Sequence, residues 1–112
     1  MDRFMNHIEL AKPMPLVKQI SWKLGDIVTK PILQSKNVYI ALMAIDRRQK
    51  VMTTDSVKDT LIYVLEGTAE VTIDEKRHIV TGGETIIMPA NKPHSIYALE
   101  QVKLMFIMLI NE

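Results

Sequence analysis

Apolar and polar residues alternate along most of the chain, and turn residues interrupt the alternation every few positions. In residues 68–73, Ala69, Val71 and Ile73 alternate with polar residues, which is the two-residue period of a strand with one buried face. Residues 38–45 (VYIALMAI) are continuously apolar instead, and their β-branched residues and tyrosine favour a buried strand over a core helix. The hydrophobic pattern therefore predicts an all-β protein made of many short strands.

Turn residues divide the rest of the chain into further strands. Gly67 and the pair Gly82-Gly83 mark turns, and Pro89 and Pro93 bound a loop. The other predicted strands are residues 17–24, 27–33, 60–65, 78–81, 85–88, 94–98 and 102–110. About nine or ten short strands at such spacing indicate a closed barrel or a sandwich, and closure removes sheet edges that would otherwise aggregate.

The first residues of the chain lack this regularity. Pro13 and Pro15 prevent a regular helix or a central strand there, because proline lacks the amide hydrogen and fixes its φ angle. We therefore predict an irregular N-terminal arm over residues 1–16, with a short helix as one form, followed by a barrel over residues 17–112. A chain of 112 residues can bury a single core without disulfides.

Composition and charge exclude several classes of partner. The formal net charge is +1, from 14 basic and 13 acidic residues, so no broad basic field is available for nucleic acid. The longest apolar tract, residues 104–110, is far shorter than the ~20 residues of a membrane-spanning helix. The chain has no cysteine and no signal-peptide pattern, which predicts a cytoplasmic protein without nucleic-acid or membrane partners.

Two segments of the chain resemble the two sequence boxes of the cupin superfamily. These segments are LIYVLEGTAEVTID, residues 61–74, and GGETIIMPANKPHSIYAL, residues 82–99. Gly67 falls where the first box closes, and Gly83 and Pro89 have the spacing that opens the second box, in which His94 stands at the histidine position. The resemblance implies a small jelly-roll barrel, the double-stranded β-helix of cupins.

The departures from the family pattern concern its metal ligands. The two histidines and the glutamate of the first box fall on Thr54, Ser56 and Thr60, so that only His94 remains of the usual four ligands. Transition metals need three or four nitrogen, oxygen or sulfur ligands in a defined array, and a neutral hydroxyl is a poor substitute. We predict that the usual metal site is lost and that no cofactor is bound.

His78 leaves an alternative open. It falls in phase with Val71 and Ile73 if the hairpin between the boxes is regular, and that phase points into the barrel. His78 and His94 could then share a pocket and, with Asp55, form a sparse site for a divalent transition metal. The other interpretation is a histidine that bonds a backbone carbonyl or points outward after a register shift.

The predicted function is the binding of a small organic ligand in the barrel, with hydroxyls and imidazoles as polar groups in an apolar cup. The predicted ligand-binding residues are Thr54, Ser56, Thr60, His78, Met88 and His94. A pocket lined by methionines, Met43, Met52, Met88, Met105 and Met108, is weighed against simple core filling.

Two other functions remain open. The chain could be an enzyme, either a metal-free one that uses His94 as general base in the manner of cupin-like sugar epimerases or isomerases, or a metal-dependent one that uses His78 and His94. It could also be a structural domain that fills its cup with its own side chains.

The resemblance further implies a homodimer that pairs through a sheet edge and exchanges N-terminal strands, with residues 1–16 as the exchanged segment. The apolar residues 38–45 and 104–110 agree with such burial.

Overall fold

A computed structural model of the chain describes residues 4–53 and 59–109 and confirms the predicted all-β class. Those residues contain one short 3-10 helix, Leu16–Gln19, and nine strands. The strands are β1 Ile27–Gln34, β2 Val38–Ile45, β3 Lys50–Thr53, β4 Thr60–Glu66, β5 Thr68–Ile73, β6 Lys76–Thr81, β7 Thr85–Met88, β8 His94–Ala98 and β9 Val102–Leu109. No helix within the described ranges has the length and apolarity needed to cross a bilayer.

The strands form two antiparallel sheets that face each other. One sheet has the order β1-β2-β9-β4-β7, and the other has the order β3-β8-β5-β6. From β3 onward the chain passes repeatedly between the two sheets, so that strands distant in sequence become neighbours. This is the jelly-roll arrangement, which the resemblance of the two boxes implied.

The hydrophobic core fills the space between the two sheets. In β4, Ile62 and Val64 are fully buried while Tyr63 between them is exposed, which is the predicted alternation. Leu104 of the neighbouring β9 and Val71 of β5, in the facing sheet, belong to the same core cluster and are also fully buried. Each aliphatic side chain of this kind stabilises the fold by about 1.5–3 kcal/mol relative to an exposed one.

Most predicted strand boundaries are confirmed, one predicted strand is wrong, and one observed strand was not predicted. Residues 17–24 form no strand, because Pro15 caps a 3-10 helix over Leu16–Gln19. The alternation in that segment comes from Ile20 and Trp22, which pack on the outside of the barrel. Strand β3 was not predicted, since its four residues carry too few apolar positions to show a period.

The N-terminal arm lies against the outer face of the five-stranded sheet. The Asn6 amide donates a hydrogen bond to the Ile32 carbonyl at 2.7 Å. Ile8 and Leu16 pack against a second cluster of buried residues that contains Ile32 and Leu42. This contact explains why β2 is apolar on both faces, because one face meets the core and the other meets the arm.

The turns at one end of the barrel interlock, and we call this end, around Asp46, Gly67 and Gln101, the closed end. Gly67 has a φ of +94°, and a Cβ atom on it would overlap the Gln101 carbonyl oxygen. The Asp46 carboxylate accepts hydrogen bonds from the Gly25 amide at 2.6 Å and from Gln101 Nε2 at 2.9 Å. These bonds lower the pKa of Asp46 and keep this buried group ionised.

Candidate functional site

The opposite end of the barrel, which we call the mouth, is defined by Thr60, Met88 and His94. Strands β4 and β8 begin there and β7 ends there. Thr60 pairs with Met88 on one side and with Met108 of β9 on the other. Paired residues of antiparallel strands share a face, so the Thr60 hydroxyl lies between two methionine side chains on the inner face.

Thr60 is the unusual residue of the mouth. Its side chain is 2% exposed, and its Oγ1 atom has no hydrogen-bond partner in the structure as described. It lies on the same face of β4 as the buried core residues Ile62 and Val64, which places the hydroxyl toward the interior. A buried hydroxyl without a partner costs about 1–3 kcal/mol. A bound molecule with a polar atom at this point would remove that cost.

His94 stands on the facing sheet, at the first position of β8. It is 6% exposed, and its backbone pairs with Ile73 on one side and Thr53 on the other. Burial lowers the pKa of the His94 imidazole, because desolvation disfavours the charged form. The ring is therefore neutral at pH 7, with one nitrogen that donates a hydrogen bond and one that accepts.

The loop before His94 is held by one hydrogen bond to a side chain and one between backbone groups. The Ala90 amide donates to Asp59 Oδ1 at 2.9 Å, and the Asp74 amide donates to the Pro93 carbonyl at 3.0 Å. Asn91 occupies the glycine position of the second box and has a φ of 61°, the left-handed conformation that asparagine tolerates. The loop thus joins the start of β4 to the β5–β6 hairpin and fixes His94 at the mouth.

His78 lies on the inner face, as its predicted phase required, but not beside His94. The β5–β6 hairpin is regular, with a turn at Asp74-Glu75, and it pairs His78 with the buried Val71. Strand β5 lies between the strands that carry the two histidines. Their backbones are therefore about 9.6 Å apart across the sheet, twice the strand spacing, and one inward position apart along it. The two imidazoles are therefore not neighbours, and one ion between them would require both side chains to extend toward each other.

The described donors do not fit the usual metal site of the family. Within residues 4–53 and 59–109, no three histidine, cysteine or acidic side chains come together. Thr60, at the position of the box glutamate, offers a neutral hydroxyl, which is a poor ligand beside the single imidazole of His94. Thr54, Asp55 and Ser56, the other predicted positions, lie outside the described residues.

Tyr39 lies in the same row of the five-stranded sheet as Thr60 and Met108, at the mouth. Tyr39 of β2 pairs with Met108, and its ring meets Phe106 edge-on at a centroid distance of 5.4 Å. Both Phe106 and Met108 belong to the core side of β9, so the alternation along β9 was the signal that identifies Met108. Tyr39 stands in the continuously apolar β2, where no alternation marks which residues face the core.

The predicted methionine pocket is only partly assembled. Met88 and Met108 flank Thr60, and Met43 is buried in the core. Met52 is 68% exposed, and Met105 packs with the arm on the outer side of the sheet. Methionine therefore contributes two side chains to the mouth and otherwise fills core or surface positions.

Comparison with known proteins agrees with this architecture. A family model for the cupin domain matches residues 49–110. A conserved protein of unknown function from Streptococcus pyogenes has a TM-score of 0.93 at 28% identity, over 99% of this chain and 97% of that one. A cupin superfamily protein from Desulfitobacterium hafniense has a TM-score of 0.90 at 25% identity, over 96% of this chain and 98% of that one.

A third solved structure extends the comparison to a longer protein. It is a cupin 2 conserved barrel domain protein from Leptotrichia buccalis, with a TM-score of 0.89 at 27% identity, over 94% of this chain and 50% of that one. Among curated proteins, no match to the chain was found.

Proposed function

Since this chain belongs to the cupin family, we propose that its barrel binds a small organic ligand at the mouth, between Thr60 and His94. The observation that carries the proposal is the buried Thr60 hydroxyl, which has no hydrogen-bond partner in the described structure. Buried polar groups of native proteins are nearly always paired, and an unpaired one needs an explanation. A ligand that bonds this hydroxyl is such an explanation.

The surroundings of Thr60 suit a small molecule. Met88 and Met108 are flexible and polarizable, and such side chains adapt to the shape of a bound molecule. The neutral His94 on the facing sheet adds a donor and an acceptor. A mostly apolar pocket with a few polar groups is the usual composition of a ligand site.

A second candidate function is metal-free catalysis with His94 as general base. The observation that favours it is the burial of His94, which lowers the pKa of the imidazole and leaves the ring free of its extra proton near neutral pH. A metal-dependent enzyme would need donors beyond His94, with Asp55 as the first candidate. The donor chemistry at Thr60 makes that version the weaker one.

Methyl-labelled methionine offers a direct test of binding at the mouth. We expect small uncharged fragments to shift the NMR methyl signals of Met88 and Met108 in the full chain. Met52 serves as the internal control, because it is 68% exposed and outside the mouth. Shifts confined to Met52, or no shifts at all, would overturn the proposal.

Metal analysis separates the metal-free and metal-dependent versions. We expect substoichiometric transition metal in protein purified without chelator, and no further loss in His94→Ala or His78→Ala. Stoichiometric metal that disappears in both variants would show that the two imidazoles bind an ion, against the geometry described above. Thr60→Val is the matched control, since it removes a hydroxyl without changing either histidine.

We also propose a homodimer that buries an apolar patch on the outer face of the five-stranded sheet. This outer patch consists of Leu61, Tyr63, Ile87, Ile107 and Leu109. Its members are neighbours across β9, β4 and β7, and Ile87 is 56% exposed. The patch carries no charge and lies beside the surface that the arm covers, so that a second copy can meet it symmetrically.

Light scattering with one pair of variants tests this interface. We expect Ile87→Asp to produce monomers, because it places a charge in the patch. Ile79→Asp is the matched control, since Ile79 is 55% exposed but lies on β6 of the other sheet. A wild-type monomer, or a dimer that survives Ile87→Asp, would contradict the interface. We also propose a cytoplasmic location, which the absence of cysteine supports.

A further inference from the structure

The inner faces around Thr60 are apolar in the described residues. Met88, Met108 and Tyr39 lie in the same row of the five-stranded sheet, and Ile73 stands beside His94 in the facing sheet. The next row inward is closed by core residues such as Ile62, Phe106 and Ile96. Thr60 and His94 are therefore polar positions within an apolar enclosure.

Among the residues that the structure describes, the charged groups near this enclosure are exposed to solvent or already bonded. Lys76 is the first residue of β6 and pairs with Ile73, but it is exposed beside the hairpin turn. Asp59, next to Thr60, is exposed and its carboxylate accepts a hydrogen bond from the Ala90 amide. A charged ligand inside the mouth would find no described charge of opposite sign against Thr60. Burying an ion without such a partner is far less favourable than burying a neutral polar group.

The Thr60 hydroxyl also limits the shape of the polar group that it can receive. It offers one donor and can accept in return, whereas the two neighbouring thioether sulfurs are weak acceptors. A single carbonyl or hydroxyl oxygen satisfies such a group. A molecule with many hydroxyls, such as a free sugar, would leave most of its polar atoms unpaired against methionine and isoleucine.

We infer that the ligand of the mouth is an uncharged, mainly apolar molecule with a ketone, aldehyde or alcohol oxygen that hydrogen-bonds Thr60. This inference rests on the proposed function and specifies its chemical class. It separates this barrel from sites built for carboxylates or phosphates, which would need a positively charged side chain inside the enclosure.

Two matched pairs of probes test the class. Cyclohexanone and 2-hexanone are the neutral probes, and cyclohexanecarboxylate and hexanoate are their charged counterparts. In titrations of the full chain followed by the Met88 and Met108 methyl signals, we expect both ketones to bind at least tenfold more tightly than the carboxylates. Equal or tighter binding of the carboxylates would overturn the inference and leave binding at the mouth intact.

Two variants then test the hydrogen bond itself. Thr60→Val keeps the shape and removes the hydroxyl, so we expect about three- to tenfold weaker ketone binding, the loss of one neutral hydrogen bond. Thr60→Ser keeps the hydroxyl and should stay within about twofold of wild type, by the same reasoning. Equal weakening in both variants would overturn the role of the hydroxyl. If no probe of either class shifts the Met88 or Met108 signal, the proposed function fails with the inference.

Discussion

The two ends of the barrel differ in the hydrogen bonding of their buried polar residues. At the closed end, the Asp46 carboxylate is bonded by the Gly25 amide and by Gln101 Nε2. At the mouth, the Thr60 hydroxyl is even less exposed than Asp46, and it has no partner in the structure as described. A polar group that is fully hydrogen-bonded within the protein holds turns together, whereas one without a partner can still form a hydrogen bond with another molecule. One end of the barrel therefore stabilises the fold, and the other end is available for binding.

The sharpest way to break the closed end is to add one carbon at Gly67. We expect Gly67→Ala to destabilise the protein by at least about 3 kcal/mol, because the new Cβ overlaps the Gln101 carbonyl and the φ of +94° disfavours any side chain. Gly83→Ala is the control, with a similar φ of +92° but open space around it, and an expected cost of about 1–2 kcal/mol. Urea denaturation measures both, and equal losses would show that the contact with Gln101 is unimportant.

Removing the hydrogen-bonded carboxylate of Asp46 should have the next largest effect on stability. Asp46→Ala leaves the Gly25 amide and Gln101 Nε2 without their acceptor, and we expect the Tm to fall by about 5 °C or more. Asp26→Ala is the control, since that exposed carboxylate pairs only with Lys23 and the adjacent Ile27 amide among the described residues, and the Tm of this variant should change by less than about 2 °C. Similar Tm values for the two variants would refute the role assigned to Asp46.

The same kind of substitution at the mouth should have the opposite sign. Thr60→Val replaces an unpaired buried hydroxyl by a methyl group of similar shape, and we expect it to stabilise the ligand-free protein by about 1 kcal/mol. Thr60→Ser keeps the hydroxyl and loses a methyl, so it should destabilise by about 1 kcal/mol. A destabilised Thr60→Val would mean that the hydroxyl already has a partner in solution.

The smallest expected effect concerns pH. Burial lowers the pKa of His94, so as the pH falls through the ordinary value of 6.5 the unfolded chain takes up a proton before the folded one. Stability is therefore lost on acidification in the range from 6.5 down to the lowered value. We expect the fall in Tm between pH 7.5 and 5.5 to be larger, by a few degrees, in wild type than in His94→Gln. Calorimetry at the two pH values measures it, and equal falls would count against a buried neutral imidazole.

The sequence predicted the strands better than it predicted the two ends. The boundaries of β2, β7 and β8 follow directly from apolar runs between turn residues. The box spacing also identified Thr60 and His94, but the unpaired state of Thr60 depends on Met88 and Met108, which only the sheet order brings beside it. Local pattern cannot reveal that neighbourhood, because the contacts are long-range.

Asp46, at the closed end, is another residue whose environment local sequence pattern does not reveal. In the sequence it is one acid after an apolar strand and before two arginines, which is the pattern of an ordinary solvated turn. Its burial depends on Gly25 and Gln101, which lie 21 and 55 residues away. The strand prediction for residues 17–24 was wrong for a related reason, since the contacts of Trp22 are long-range. Its ring packs against the cluster that contains Ile32 and Leu42, and its Nε1 donates to the Val102 carbonyl at 2.9 Å.

The contact of Gly67 with the backbone of Gln101 also restricts where insertions can be accepted during evolution. Two turns that touch at the backbone leave no room for inserted residues, so lineages of this barrel are expected to keep that end constant in length. Residues 89–93, which lead into β8, are held by two hydrogen bonds instead of such a close backbone contact, so insertions there are expected to reshape what the barrel accepts without disturbing its frame. New specificities should therefore arise by change on one rim alone.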